Sequence, residues 1–437
     1  MSPRVDRRPG GEVTQTRKDA ALINETVEIR GHLIDSGVLS RVLDDILEYG
    51  GDYSIDQFDV GRTPLDESYA RLTVGAPNLE DVARLVMRLQ THGANLTDPG
   101  EVVLRPTERD GVFPDDFYST TNLETVVRLG GSWVPVEHPE MDCGIVVEKD
   151  RARTVAVSDV RAGDQVVCGA SGVKVVPLPA IDRSVAGFEF MKSEVSSEKP
   201  QALLVRQIAQ QMQDVKAEGR KILWVAGPAV VHTGAAPAMV ALVEAGFVDV
   251  LFAGNALATH DIEAALFGTS LGVDLQQGRG VEHGHEHHIR AINQIRKAGS
   301  IASAVEQGVL GGGIMHALVR QRKQFVLVGS VRDDGPLPDV HTDVVEGQRA
   351  MRAGLDGVGF AIMVATMLHS VATGNLLPAS VPLVCVDINP ATVTKLADRG
   401  SAQARGIVTD IGLFLEQLAL ELAPGYREGQ RPGDPVY

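Results

Sequence analysis

Residues 221–231 read KILWVAGPAVV and residues 248–254 read VDVLFAG, with PAMVALVEAG at 237–246 between them. The outer two are near-continuous apolar runs that reach a glycine, and the middle one repeats its apolar residues at helical spacing. A strand covered on both faces has no polar side to show. Two such runs joined by a helix therefore predict a parallel βαβ unit. Further strands of this kind are predicted at 324–330 (QFVLVGS), 357–365 (GVGFAIMVA) and 382–389 (PLVCVDIN), and an amphipathic helix at 202–219 (ALLVRQIAQQMQDVKAEG) precedes the first. The fold class is α/β, and residues 196–437 are expected to form a mainly parallel sheet covered by helices. In such sheets small molecules bind beyond the carboxyl ends of the strands.

Upstream the texture changes twice. TVEIRGHLI (26–34), YSIDQFDVG (53–61) and SYARLTVGA (68–76) alternate like strands. VLSRVLDDILEYG (38–50) and LEDVARLVMRLQTHG (79–93) have helical periodicity. That β-α-β-β-α order predicts a ferredoxin-like α+β module over 21–118. From 119 to 195 the pieces WVPVEH (133–138), CGIVVEK (143–149), RTVAVSDV (153–160), DQVVCG (164–169) and VKVVPLP (173–179) are short, β-rich and broken by Gly and Pro, which predicts a small β-rich subdomain. Residues 1–20 read as a flexible tail, and FEFMKSEVSSEKP (188–200) marks the last boundary.

Composition narrows the function classes. At 437 residues the chain exceeds what one hydrophobic core usually organises. Lys and Arg number 41 against 57 Asp and Glu, a net charge of −16, which argues against nucleic acid and other polyanions as partners. Cys143, Cys168 and Cys385 are too few for a disulfide framework, so a reducing compartment is expected. The N-terminal stretch is polar, unlike a signal peptide, and the apolar runs are too short to span a bilayer. A soluble, cytoplasmic protein acting on small molecules, with no membrane partner, is expected.

Four predicted strand ends carry unusual residues: Gly227-Pro228 followed by His232, Gly254-Asn255-Ala256 leading to Thr259-His260-Asp261, the stretch from Gly329 to Pro336, and Val386 to Pro390 with Asp387 inside it. Small residues admit a ligand to the backbone, and an acid ending a strand can accept ribose hydroxyls. Any one of these segments also reads as an ordinary turn or helix cap; four at the ends of one sheet favour a ligand site. The GxGxxG fingerprint of dinucleotide-binding folds is absent. Gly311-Gly312-Gly313 precedes a helical stretch but has the wrong spacing and follows helix-like sequence.

These strings, GPAVVHTGAAPAMVALVEAGFVDVLFAGNALATHDIE (227–263), GSVRDDGPLPDV (329–340), ATMLHSVATGN (365–375) and VDINPATVTKLADRGSAQARGIVTD (386–410), resemble the archaeal-type ornithine cyclodeaminase family. The family is also known as the lysine-oxoglutarate reductase/saccharopine dehydrogenase bifunctional-enzyme region. The same unit forms the carboxy-terminal part of cyanobacterial arginine dihydrolase/ornithine cyclodeaminase proteins. The resemblance covers nearly everything from Ala21 to Leu420 and implies conversion of L-ornithine to L-proline and ammonia with bound NAD. It also implies a cofactor domain of deoxyhypusine synthase-like type, in keeping with the missing glycine fingerprint. The resemblance does not extend to an arginine dihydrolase domain, so that activity is not expected. The cofactor contacts the resemblance implies are Asn255, Ala256, Asp334, Thr366, Met367, Leu368, His369, Asp387 and Asp410, with Asp387 the candidate for the ribose hydroxyls.

Catalytic candidates are His260 and Asp261, following the GNALA segment, and Cys143. Asp261 reads equally well as a helix cap. Asp333 and Glu263 are possible partners for substrate amines. His138, Glu140, Asp142 and Cys143 (HPEMDC, 138–143) could face the cofactor across a domain cleft, although a small buried Cys usually packs inertly. His283, His285, His287 and His288 could bind a transition metal, but hydride chemistry needs none and no metal is expected. Lys395 reads as a helix-end charge, not as a Schiff-base lysine. Two other functions fit the sequence: a saccharopine- or lysine-type amino-acid dehydrogenase with net NADH formation, and a non-catalytic NAD-binding regulator. A homo-oligomer is expected, with the strand edge of the front module as one possible contact.

Overall fold

The structure is a computed structural model that describes residues 22–34, 37–63, 66–176, 201–274, 279, 284–333, 335–398 and 404–427. Its front contains β1 (Ile23–Gly31), α1 (Val38–Glu48), β2 (Asp52–Asp59), β3 (Ser68–Ala76), α2 (Leu79–Gln90) and β4 (Asn95–Leu96). The four strands form an antiparallel sheet in the order β2-β3-β1-β4. Alternate residues such as Val27, Ile29, Leu72 and Val74 meet Val42, Ile46, Leu85 and Leu89 of the two helices in a closed core. The outer strand β2 is almost wholly exposed, carries Asp52, Asp56 and Asp59, and has a bulge between Ile55 and Gln57. Acidic side chains and a bulge both oppose pairing with another strand. The β2 edge is thus a poor subunit contact.

A second sheet follows, built from β5 (Val103–Pro106), β6 (Thr125–Leu129), β7 (Ser132–Glu137), β8 (Gly144–Glu148), β9 (Arg151–Val155), β10 (Gln165–Cys168) and β11 (Val173–Val175), in the order β11-β6-β7-β9-β8-β10-β5. The front sheet is tied to it by buried amides. Gln90 Nε2 donates to the Val173 carbonyl (2.9 Å), and Asn95 exchanges hydrogen bonds with the Val175 backbone.

The rest of the chain begins with α3 (Gln201–Ala217), β12 (Lys221–Ala226), α4 (Ala229–His232), α5 (Ala236–Glu244), β13 (Val250–Gly254) and α6 (Asn255–Phe267). It goes on through a hairpin, β14 (Thr269–Ser270) and β15 (Val273–Asp274), then α7 (His287–Ala298), α8 (Ile301–Glu306), α9 (Gly313–Arg320), β16 (Gln324–Val328) and β17 (Val340–His341). It ends with α10 (Val344–Gly354), β18 (Val358–Val364), α11 (Leu368–Leu376), β19 (Leu383–Asp387), α12 (Pro390–Asp398), β20 (Ala404–Val408) and α13 (Ile411–Leu422).

Seven strands pair in parallel in the order β17-β16-β13-β12-β18-β19-β20. Leaving aside the short β17, this is the 3-2-1-4-5-6 order of a doubly wound sheet, and its direction of winding reverses between β12 and β18. The missing alternation in the sequence now has its cause. Ile222, Trp224, Leu251 and Ile362 pack under α3, α5, α6, α9 and α13, whereas Leu223, Val225, Phe252 and Met363 pack under α10, α11 and α12. The sheet and the β-rich layer meet along α10 and α11. Glu140 pairs with Arg352 (2.7 Å), the Met141 N–H donates to the Asn375 carbonyl (3.0 Å), and the Ala379 N–H donates to the Asn122 carbonyl (2.7 Å). Among the described residues no helix is long and apolar enough to cross a membrane.

Candidate cofactor and substrate site

A pocket opens at the carboxyl edge of the parallel sheet, over the ends of β12, β13, β16 and β18. Gly227 and Pro228 form one wall, Gly254, Asn255, Ala256 and Leu257 the next, Val328, Ser330, Arg332 and Asp333 a third, and Thr366, Leu368 and His369 the last. Gly227 marks the point where the winding reverses. A Cβ there would lie 1.9 Å from the Ala365 carbonyl oxygen, so the ends of β12 and β18 can meet only if this residue is glycine. Ala365 itself takes a left-handed conformation, φ 54°. Opposite, a Cβ on Gly254 would stand 3.1 Å from the His369 ring. Burial lowers the pKa of His369. A bond to the Val328 carbonyl and the nearby Asp333 partly offset that effect.

Two helices begin in the pocket wall. α6 starts after Gly254 and α11 after Met367, and neither first turn is capped by a side chain. The leading N–H groups of a helix have no partner within it, and the helix dipole makes them attractive to an anion. Two uncapped helix starts facing one crevice over a glycine form a cradle fit for a phosphate-bearing cofactor, with no glycine fingerprint required.

The cofactor candidates divide into two groups. Asn255, Ala256, Thr366, Leu368 and His369 line the pocket. The Asn255 side-chain oxygen accepts the Leu337 N–H (3.0 Å), which fixes the segment after β16 on α6. Met367 sits beside them as the residue preceding α11 and is exposed. Asp387 and Asp410 end β19 and β20 on the same edge of the sheet, outside the pocket lining. Asp387 is buried and accepts the Asn389 N–H (2.8 Å), while Asp410 caps α13 through the Leu413 N–H (2.9 Å). Asp334 lies outside the described residues.

Two catalytic candidates, Asp261 and Cys143, are held by structural surroundings outside the pocket lining. The buried carboxylate of Asp261 accepts the Ile314 and Met315 N–H groups, both at 2.8 Å, and so caps α9. Gly313, at φ 93°, gives it room, since a Cβ there would stand 2.8 Å from Asp261 Oδ2. The glycine run 311–313 therefore closes a turn onto Asp261. Burial raises the pKa of that carboxyl to about 6. Cys143 is buried in the β-rich layer, and burial, reinforced by Glu140, pushes its thiol far above the usual range. It does not line the pocket. The HPEMDC corner does meet the parallel sheet's layer, but at α10 and α11, where Glu140 holds Arg352.

His260 stands four residues beyond Ala256, one helical turn from the pocket wall. Its Nδ1 bonds Glu263 (2.8 Å), and Glu263, fully buried, also accepts the Thr269 hydroxyl (2.9 Å) and the Gly272 N–H (3.1 Å). The His232 ring packs against His260 at 4.8 Å. His287 stacks on Phe267 and bonds Thr269 (2.8 Å). His283 and the side chain of His285 lie outside the described residues. Among the described residues no three His, Cys, Asp or Glu side chains converge as metal ligands. Lys395 is exposed in the last turn of α12. Sequence reasoning gave no role to Arg332, whose place in the pocket depends on how the chain leaves β16.

The family described as "Arginine dihydrolase ArgZ-like, C-terminal, Rossmann fold" matches residues 206–418. Its companion first region matches 124–205, and the LOR/SDH bifunctional enzyme conserved region matches 24–123. The ornithine cyclodeaminase of Methanothermobacter thermautotrophicus is 53% identical over 399 residues, covering 91% of this chain and 97% of that protein. The chain belongs to the ornithine cyclodeaminase family. Within that family, the apo structure of ArgZ, described as an arginine dihydrolase from the ornithine-ammonia cycle in cyanobacteria, superposes with a TM-score of 0.80 at 37% identity, covering 92% of this chain and 58% of that one. A ternary complex of AgrE with ornithine and NAD+ matches with a TM-score of 0.50 at 40% identity, over 92% of this chain and 57% of that one.

Proposed function

We propose that this protein is an NAD-dependent ornithine cyclodeaminase that converts L-ornithine to L-proline and ammonia. One observation carries the reading: identity to a named ornithine cyclodeaminase holds at 53% across 97% of that relative's length. The site supports it independently. The Gly227 crevice and the uncapped starts of α6 and α11 suit a dinucleotide's phosphates, and AgrE, from the same family, binds ornithine and NAD+ together.

When bound, NAD supplies reversible hydride acceptance, which lets an amine carbon be oxidised for cyclisation and then reduced. The chain's own residues bind, orient and exclude water. The amides that open α11 would hold phosphate, and Asp387, at the end of β19, would accept ribose hydroxyls. Asp410 adds a second acid on that rim. Small residues on the β12 and β13 side leave room for the substrate next to the cofactor. Half-buried His369, its pKa lowered by desolvation, can donate or accept one hydrogen bond in its neutral form without adding charge. Residues 196–437 act as the cofactor unit, of deoxyhypusine synthase-like type, in a cytoplasmic homo-oligomer.

The test is to incubate the protein with L-ornithine and NAD+ and measure proline, ammonia and absorbance at the NADH band. Proline and ammonia in equal amounts, without net NADH, are expected. Net NADH would instead identify an amino-acid dehydrogenase, and NAD binding without turnover a regulator.

A further inference from the structure

We propose that Arg332 and Asp333 form the head-group clamp of this site. Arg332 takes the substrate's α-carboxylate, and Asp333 takes its α-ammonium. The inference rests on the amino-acid reading above and names the residues that enforce it.

Among the described residues, Arg332 and Asp333 are the two side chains of formal charge in the pocket lining, and they are of opposite sign. The other lining residues are small, apolar or neutral, and burial holds His369 toward its neutral form. An α-amino acid carries opposite charges on the two substituents of one carbon, so it needs a cation and an anion side by side. Consecutive residues on one turn place a cation and an anion beside the same pocket. The Asp333 carboxylate is aimed by its own loop: Oδ2 accepts the Ser330 N–H at 2.7 Å. The same turn is tightened by the Arg332 N–H, which donates to Ser330 Oγ at 3.2 Å. Gly329 makes this fold-back possible, since a Cβ there would stand 3.1 Å from Asp333 Oδ2. Asp333 also lies near enough to His369 to raise its pKa, so the clamp borders the wall formed by α11.

A guanidinium matches a carboxylate through two parallel hydrogen bonds, and a lysine cannot copy that geometry. Holding both groups on Cα fixes that carbon against the pocket floor and leaves the side chain to reach away from the clamp. The device selects α-amino acids over simple amines. Side-chain length is then set elsewhere.

The experiment uses full-length protein loaded with NADH, on which ornithine can bind but not be oxidised. Calorimetry measures L-ornithine, L-lysine, putrescine (which lacks the carboxylate) and 5-aminopentanoate (which lacks the α-amine). Wild type should prefer ornithine to either truncated ligand by about 100-fold or more. Arg332→Ala should weaken ornithine about 100-fold and bring it level with putrescine, with NADH affinity unchanged within about twofold. Arg332→Lys should recover less than about tenfold of that loss. Asp333→Asn should instead erase the preference over 5-aminopentanoate. In turnover, KM should rise in all three variants. Unchanged ornithine affinity in folded Arg332→Ala, or an equal loss of NADH affinity, overturns the clamp. If wild type makes no proline but these variants still lose α-amino-acid binding, the ornithine reading falls and the clamp stands.

Discussion

Gly227 has no side chain, and the site depends on that. Its Cα faces the Ala365 carbonyl so closely that a methyl group would overlap the oxygen. Gly227→Ala must push the ends of β12 and β18 apart at the place where the sheet reverses its winding. Overpacking of this kind costs about 1–3 kcal/mol. The displaced atoms also include the chain that leads into α11. A lower melting temperature together with weaker NADH binding by calorimetry is therefore expected. A variant with unchanged melting and unchanged NADH affinity would show that the crevice is looser than drawn. The strand-end glycines were legible in the sequence as places of close approach. The partner at residue 365 was not, because the two strands are neighbours in space and 138 positions apart in the chain. Arg332, inside the Gly329–Pro336 strand end, carries no role in the sequence for a related reason: a lone arginine on a turn looks like any solvated charge until the turn is folded over a pocket.

Helix α6 serves several elements at once. Its first turn lines the pocket, Asp261 caps α9, and Glu263 gathers His260, Thr269 and the β14 turn. Asp261→Ala would leave two buried N–H groups at the start of α9 without an acceptor. Each costs about 1–3 kcal/mol, so a loss on the order of 2–6 kcal/mol is expected in denaturant melts. Asp261→Asn should lose less, because its amide still offers one acceptor. If instead catalysis fell while stability held, Asp261 would be a reacting group and its capping role secondary. The strands of the parallel sheet were readable because they are long apolar runs. β5, β6 and β20 do not stand out in the sequence: VLRP ends on proline, TVVRL carries an arginine and runs into Gly130-Gly131, and ARGIV mixes arginine and glycine. Their pairing comes from neighbours already in place, which no local pattern records. The Asp261 cap was legible as one of two readings, yet the helix it caps lies some fifty residues away.

Across the whole molecule, burial of histidines sets the response to acid. Burial lowers the pKa of His92, His232, His316 and His369 below 6.5. A group depressed on folding contributes stability that is present above its unfolded value and lost as pH falls through its folded value. These four therefore weaken the fold as pH drops below about 6.5. Asp261 runs the other way. Its folded pKa, raised to about 6, gives a contribution present below 3.8 and lost as pH rises through 6. Between pH 7.5 and 5.5 it returns about 1 kcal/mol. The acids whose pKa is lowered, Glu137, Asp159, Asp249 and Glu263, lose their contribution only further into acid and stay out of this window. Asp339, also raised by burial, acts in the same direction as Asp261. Four groups opposing two should win, so melting temperature is expected to fall from pH 7.5 to 5.5. His369 lies in the pocket wall, so part of that fall should vanish in His369→Gln. Scanning calorimetry at the two pH values decides the matter: a melting point that is level or higher at pH 5.5 means the histidines are accommodated as cations. Asp261→Asn removes one opposing carboxyl, and in that variant the fall toward acid should be steeper than in wild type.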